Sequence, residues 1–155
     1  RGEPERKKVL LEHTSVNPTG LIHVGRARNP IIGDTLARCM RAYGYDVTTE
    51  YYVNDVGKQV VMLTWGLENI PAEDVPEVAG DKPDHRLVVY YQKANRMMES
   101  DPEVERQVGQ MLRRFEDGDE EVMGKVRRTA TLMLDGIIES LLSINVIIDQ
   151  FTWES

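Results

Sequence analysis

The sequence predicts an α/β fold in which a short parallel sheet with flanking helices is followed by a mainly helical part. An apolar run at residues 9–11, flanked by charge, is too short for a helix and is typical of a central strand covered on both faces. Residues 47–53 are rich in β-branched and aromatic side chains and predict a second strand, with a long helical pattern over 24–42 between the two. Because the joins are short, strand, helix and strand are expected to form a parallel crossover unit.

The composition is that of a soluble globular protein. Of the 155 residues, 41% are hydrophobic and 29% are charged, which supplies material for a sizeable core and argues against a disordered chain. The formal net charge of −7 argues against a generally basic nucleic-acid surface, although local contacts with RNA stay open.

Cysteine and histidine usage argues against a metal site. The single cysteine, Cys39, excludes an internal disulfide framework and is expected to be a buried small side chain in the first helix. The three histidines, His13, His23 and His85, lack metal-ligand spacing, so no metal site is predicted. No apolar run approaches the roughly 20 residues that span a bilayer, and the charged start has no signal-peptide pattern. We therefore expect a cytoplasmic protein without a membrane partner.

The segment between the first strand and the first helix carries the strongest functional signal. Glu12 lies at or near the carboxyl end of the strand, turn-forming residues cover 14–20, and the helix begins around His23 or Val24. An open α/β sheet binds its ligand at this edge, where strand ends meet helix N-termini. His23 and Arg26 are three residues apart and share the first helical turn, where unpaired N–H groups and the helix dipole favour a phosphate.

The His-x-Gly triplet alone does not identify a nucleotide site. Gly25 has no side chain, so a ligand ring could lie close to the backbone there. An ordinary helix with an incidental surface histidine explains the triplet as well. The order of strand, polar loop, triplet and helix is what favours the nucleotide site.

Several segments together resemble the class I arginyl-tRNA synthetases. The signature region of that family is similar to residues 12–26, EHTSVNPTGLIHVGR, and further similar blocks follow in the family's order. These blocks are IGDTLAR at 32–38, YGYDV at 43–47, YYVNDVGKQ at 51–59 and FTWES at 151–155. The resemblance implies the first half of a Rossmann-like nucleotide-binding catalytic domain, followed by a mainly helical connecting insertion.

The resemblance also implies an enzyme, an arginine-tRNA ligase. The reaction would be ATP-dependent activation of arginine to arginyl-adenylate, with Mg²⁺ as the usual counterion of ATP, followed by transfer to tRNA(Arg). Because the chain begins on Arg1 and ends within a motif, it is expected to be a fragment that is inactive in isolation. The family's second ATP signature, a lysine-containing loop, and its anticodon-binding domain would follow Ser155. Contacts with tRNA(Arg) are therefore expected mainly in parts outside this chain.

The likeness assigns the arginine side of the site to three residues. Glu12 matches the acidic residue that faces arginine, and a carboxylate is a suitable partner for a guanidinium or ammonium group. Ser15 and Asn17 match polar residues that contact the same amino acid. All three are thus expected to be substrate-binding residues.

The likeness assigns the ATP side to the start of the helix. His23 matches the first histidine of the ATP signature and is expected to be catalytic, donating a hydrogen bond to the phosphates. Gly25 is expected to lie under the adenine. Arg26 stands where the family usually has a second histidine, and its guanidinium, with more donors and a permanent charge, is expected to act on the ATP phosphates as a catalytic residue.

Other features of the first half are predicted from local patterns. Pro30 is expected to kink the first helix or restart it near Asn29. Asp55 could bind substrate or cap the helix that follows it. The apolar face of the first helix is assigned to Ile32, Leu36, Cys39 and Met40.

Beyond residue 54 the pattern is mainly helical. Helices are predicted over 55–67, 84–99, from 101 onward, and over 120–142, with a solvated connection over 69–83 and a third strand at 144–148. The predicted domain divisions are 1–67 for the first half of the catalytic domain, 68–143 for the linker and helical insertion, and 144–155 for the returning strand. Lys125, Arg127 and Arg128 could touch RNA phosphates, although a solvated basic turn is the preferred interpretation.

Two alternatives to the synthetase assignment stay open. Another nucleotidyl-transferring α/β enzyme with a His-x-Gly ATP site would share the loop and helix, but gives no reason for the block at 51–59 or for Glu12. The chain could also be a non-catalytic binding module.

Overall fold

A computed structural model of the protein describes residues 6–78 and 80–155. The chain divides into two compact units. The first comprises the described part of Arg1–Val16, Ile22–Asn54 and Glu139–Glu154, and the second comprises Asn17–Leu21, Asp55–Ile138 and Ser155. The division of the domains predicted above remains a prediction.

The first unit is built on a parallel sheet of three strands in the order β1-β2-β3, as the sequence predicted for its fold class. The strands are β1 at Lys8–Glu12, β2 at Asp46–Val53 and β3 at Gln150–Trp153. Glu12 is the register partner of Glu50, and Val53 is the partner of Trp153. The carboxyl ends of all the strands therefore meet at one edge of the sheet.

The expectation that β1 is a central strand covered on both faces is wrong for this chain. β1 lies at the edge of the described sheet, and Leu10 in its middle is 58% exposed. β2 is the strand with neighbours on both sides, and its alternate residues Val47, Thr49, Tyr51 and Val53 are buried. An apolar run signals burial but does not identify which strand is central.

Helix α1 spans Val24–Tyr43, so the predicted start is confirmed. The expected restart of the helix at Pro30 is wrong, because one helix continues through the proline, and the expected kink there stays a prediction. Pro30 lacks the N–H that would bond to the Arg26 carbonyl, but only one bond is lost and the ring is buried. Gly44, with φ 107°, ends the helix in a left-handed cap that an L side chain rarely adopts.

The apolar face predicted for α1 is also wrong. Ile32 and Leu36 are 54% and 48% exposed, Cys39 is exposed, and the buried residues of the helix are Pro30, Gly33 and Ala37. A side chain at Gly33 would place its Cβ only 2.3 Å from Cγ of the buried His13. Close packing on small residues has therefore overridden the larger apolar side chains.

The second unit is helical, as predicted. Its core is formed by apolar side chains of the first three α-helices of this unit. Met62, Trp65 and Val108 are among the buried members of that core. The elements are α2 at Lys58–Asn69, a short 3-10 helix at Ala72–Asp74, α3 at Pro83–Ser100, α4 at Pro102–Glu116 and α5 at Glu120–Ser143, of which the residues to Ile138 belong to this unit. Among the described residues, no helix has the length and apolar character needed to cross a bilayer.

The third strand lies later in the chain than predicted. The apolar run at 144–148 directly follows α5, and Asn145 in it has φ 58° and donates its N–H to the Leu142 carbonyl at 2.9 Å. The Val146 N–H donates to the Leu141 carbonyl at 2.9 Å, and both side chains are buried. This is a Schellman cap with its usual apolar contact, which explains the run without a strand. The strand itself begins at Gln150.

Candidate active site

The first group of site residues lies where β1 ends. Glu12 is exposed, and the Ser15 hydroxyl donates a hydrogen bond to its Oε1 at 2.8 Å. The backbone N–H of Tyr52 on β2 donates to the same Ser15 hydroxyl oxygen at 3.0 Å. This chain of hydrogen bonds fixes the carboxylate at the edge where the parallel strands end, and leaves it able to meet a cationic group from solvent.

His23 caps the start of α1. Its backbone is extended, with φ −107° and ψ 173°, and its Nδ1 accepts a hydrogen bond from the Gly25 N–H at 3.1 Å. Because Nδ1 is the acceptor, the neutral ring carries its proton on Nε2. The exposed side chain therefore presents an N–H donor at a helix N-terminus, where the backbone and the dipole also favour an anion.

The position of the His23 ring requires a glycine at position 25. A Cβ built at Gly25 would lie 3.0 Å from Cε1 and 3.2 Å from Nδ1 of His23, which is tighter than ordinary packing. The absence of a side chain thus lets the ring lie against the first turn and make the cap. The expected position of Gly25 under an adenine ring stays a prediction.

Arg26 is half-buried and lies within electrostatic range of the Tyr51 hydroxyl. Burial raises the pKa of the Tyr51 phenol, and the hydrogen bond to Val16 and the charge of Arg26 partly offset that rise. Tyr51 donates that bond to the Val16 carbonyl at 2.6 Å. Arg26 is therefore near the loop that follows β1, within the same unit as Glu12 and His23.

His13 has a structural position that the sequence did not reveal. Its ring is buried, its Nδ1 lies 2.9 Å from the Thr14 hydroxyl, and its Nε2 has no hydrogen-bond partner among the described residues. Burial lowers the pKa of the His13 imidazole, against the opposing charges of Asp34 and Asp149, so the ring stays neutral near pH 7. Histidine spacing could not indicate this, because the burial arises from packing against Gly33.

Asn17 belongs to the second unit. Its Nδ2 donates to Oε1 of Gln59 at 3.2 Å, and the Thr19 hydroxyl donates to the same oxygen at 3.4 Å. The side chain of Asn17 is exposed. Its expected contact with a substrate stays a prediction.

The N-cap role suggested for Asp55 is not observed, and its suggested contact with a substrate stays a prediction. Helix α2 is capped by Gly57, without a side-chain hydrogen bond, and the Asp55 carboxylate is 1% exposed. It accepts hydrogen bonds from Arg127 Nη1 at 3.0 Å, from the Ser155 N–H at 3.1 Å and from the Ser155 hydroxyl at 2.6 Å. A buried carboxylate with these donors is a structural anchor of the second unit.

The basic residues near position 127 lie in the helix that the sequence predicts over 120–142. They lie within α5, where Lys125 Nζ is 2.9 Å from a Glu68 carboxylate oxygen and 2.8 Å from one of Glu121, while Arg127 pairs with Asp55. Lys125 and Arg127 are half-buried and paired with carboxylates, whereas Arg128 is exposed, and a contact of these residues with RNA phosphates stays a prediction.

Comparison with known proteins agrees with this arrangement. The chain is 45% identical over 153 residues to an arginine-tRNA ligase of Methanocella arvoryzae, covering 99% of this chain and 27% of that protein. It is 45% identical over 148 residues to an arginine-tRNA ligase of Archaeoglobus fulgidus, covering 96% of this chain and 26% of that protein. The solved structure of a Thermus thermophilus arginyl-tRNA synthetase matches with a TM-score of 0.72 and 28% identity, over 99% of this chain and 25% of that one.

The chain thus spans about a quarter of the length of these curated relatives. The family profile described as "tRNA synthetases class I (R), catalytic domain" matches residues 2–153, which is nearly the whole sequence. The capped His23, the Glu12 carboxylate at a strand end and the parallel sheet between them are consistent with that match. The chain belongs to the class I arginyl-tRNA synthetase catalytic-domain family.

Proposed function

We propose that this chain is part of an arginine-tRNA ligase and contributes to the site where arginine reacts with ATP. The observation that carries the proposal is the His23 cap, because it turns an Nε2–H donor toward solvent at the N-terminus of a long helix. Family membership supports the choice of reaction. In that reaction a carboxylate oxygen of arginine attacks the α-phosphorus of ATP, the bond to the bridging oxygen breaks, and pyrophosphate leaves.

The residues of α1 would act on the phosphates. Negative charge builds up on the phosphate oxygens as the new bond forms, and fixed donors stabilise that charge without having to reorganise. His23 would donate from Nε2, and Arg26 would supply a permanent positive charge. Gly25 would keep the His23 ring against the helix start.

The residues after β1 would bind arginine. Glu12 offers a carboxylate for the guanidinium or the ammonium group, and Ser15 holds that carboxylate in place. Asn17 is included as an arginine contact on the family likeness. In the second reaction a ribose hydroxyl of the terminal adenosine of tRNA(Arg) would attack the arginyl carbonyl carbon, and AMP would leave with loss of the hydroxyl proton.

The reaction would also need components that this chain does not supply. Mg²⁺ would accompany ATP, contacts with tRNA(Arg) would lie mainly in other parts of a full-length enzyme, and the cytoplasm would be its location. This chain alone is expected to have little or no aminoacylation activity. The curated relatives are about four times as long, which supports a division of the work among further domains.

The test is ATP–pyrophosphate exchange in the full-length enzyme with arginine, ATP and cognate tRNA. Exchange that depends on arginine is the expected result, and the isolated chain serves as the inactive comparison. Exchange with another amino acid in place of arginine would overturn the substrate assignment. Exchange with no amino acid at all would favour a different nucleotidyl-transferring enzyme.

Replacing Arg26 by alanine is expected to lower the rate of adenylate formation by about 10-fold or more, because a permanent charge beside the phosphates is lost. Single-turnover formation of arginyl-adenylate in the full-length enzyme measures this rate. Arg28→Ala is the matched control, since Arg28 is an exposed arginine on the same helix. An unchanged rate in Arg26→Ala would remove Arg26 from the catalytic residues.

A further inference from the structure

The loop that leaves β1 is fastened to β2 by three hydrogen bonds within the first unit. The His13 N–H donates to the Glu50 carbonyl at 3.1 Å, which extends the ladder of the sheet. The Tyr52 N–H donates to the Ser15 hydroxyl at 3.0 Å. The Tyr51 hydroxyl donates to the Val16 carbonyl at 2.6 Å and is the one of these three contacts made by a side chain of β2.

The loop needs such fastening because its backbone is strained. Thr14 has φ 74° and Ser15 has φ 38°, so two consecutive L residues are in the left-handed region. Such conformations persist only where the surrounding structure imposes them. The contact at Val16 comes directly after this pair, and Glu12 directly precedes His13 at its other end. A change at Val16 is therefore transmitted to Ser15 and to the carboxylate that Ser15 holds.

Tyr51 is well suited to impose that conformation. Its side chain is 0% exposed, and its ring centroid lies 5.7 Å from that of Phe151 on β3, so the ring has little freedom to move. Burial raises the pKa of its phenol, which keeps the hydroxyl protonated as a donor throughout the neutral range. The charge of Arg26 acts on the same hydroxyl. Tyr51 thus contacts the loop through the Val16 carbonyl and lies within electrostatic range of Arg26 in the first turn of α1.

We propose that Tyr51 is a positioning residue for arginine binding, because its hydroxyl holds the loop of Glu12 and Ser15 in the binding conformation through the Val16 carbonyl. This inference rests on the proposed function. Without the hydroxyl, a smaller fraction of the enzyme has the loop in that conformation, and apparent affinity falls in proportion. The ATP phosphates, by contrast, would be met by His23, whose cap does not involve Tyr51.

The test is Tyr51→Phe in the full-length enzyme, which removes one oxygen and keeps the ring. Pyrophosphate exchange is expected to show a KM for arginine raised by about 5- to 20-fold, with kcat and the KM for ATP changed by less than about twofold. Rates are normalised to titrated active sites, so that partial loss of folded protein does not alter kcat, and KM does not depend on the enzyme concentration. Tyr43→Phe is the matched control, because the Tyr43 side chain is 84% exposed and the same atom is removed.

Other outcomes of this experiment would overturn the positioning role of Tyr51. An unchanged KM for arginine in Tyr51→Phe, or equal rises in both KM values, would overturn the positioning role. A variant that does not fold would also overturn it, since Tyr51 would then be required for the fold itself. If the unmodified enzyme lacked arginine-dependent exchange, the proposed function would fail and this role with it, whereas failure of the variant test in an active enzyme concerns Tyr51 alone.

Discussion

Replacing His23 by asparagine is expected to lower the rate of arginyl-adenylate formation by about 100- to 1000-fold while leaving the start of α1 intact. The magnitude is that of removing one preorganised donor from developing negative charge. Asparagine is a favourable N-cap residue, and its side-chain oxygen can accept the Gly25 N–H as His23 Nδ1 does. It lacks a group in the position of Nε2, so the catalytic donor is lost and the cap is kept.

His23→Ala separates the two roles of this histidine. Alanine removes the donor and the cap together, so the free energy of unfolding is expected to fall by about 1 kcal/mol in this variant and to change little in His23→Asn. Thermal or denaturant unfolding of both variants measures that difference, and single-turnover kinetics measures adenylate formation. A loss of activity in His23→Ala that His23→Asn restores would contradict the proposed role, because capping alone would then explain the histidine.

The strand-loop-helix arrangement could be predicted from sequence because its signals are local. The apolar run before Glu12, the turn-forming residues and the helical periodicity from Val24 each depend on near neighbours, and the structure has the strand and helix in those places. The same holds for the helix predicted from residue 101 onward, which forms α4 with Val104, Val108 and Phe115 buried. Interactions between residues that are close in sequence are sufficient to determine these elements.

Features that depend on close packing between elements were missed. The buried side of α1 is predicted to carry Ile32 and Leu36, but Pro30, Gly33 and Ala37 are the residues that are buried. Residues on either face of a helix recur at the same spacing, so periodicity alone does not identify the buried face. The prediction therefore rested on the face with the larger apolar side chains. The approach of His13 to within 2.3 Å of a Cβ built at Gly33 is a tertiary fact without a sequence signal.

The site shows the same division. The positions of Glu12 at a strand end and of His23 at a helix start could be predicted from sequence, and their roles in binding stay predictions. The contact of Tyr51 with Val16 spans 35 residues and depends on the register of β2 against β1, which alternation alone does not fix. The hydrogen bond from Ser15 to Glu12 depends on Thr14 and Ser15, which have left-handed backbone conformations although they are not glycines. Neither residue type predicts such a conformation.

Replacing Glu12 by glutamine is expected to lower kcat/KM for arginine by about 10- to 100-fold, as expected for a hydrogen bond to a charged group. Glutamine keeps the length of the side chain, and its amide oxygen can still accept the Ser15 hydroxyl, so the loop geometry is retained. The loss then reports the negative charge. The KM for ATP is expected to stay within about twofold, because the phosphates would be bound by α1.

Asp46→Asn is the matched control for Glu12→Gln, because it removes one unit of charge from the opposite end of the sheet, where Asp46 pairs with Lys8 in register. Equal effects of the two variants would contradict a specific role for Glu12, since a change in net charge would then explain both. Comparing arginine with citrulline shows which group of arginine binds to Glu12. Citrulline has a neutral urea in place of the guanidinium and keeps the ammonium group. If the carboxylate binds the guanidinium, Glu12→Gln is expected to reduce the preference for arginine over citrulline by a similar factor, whereas an unchanged preference with weaker arginine binding assigns the carboxylate to the ammonium group.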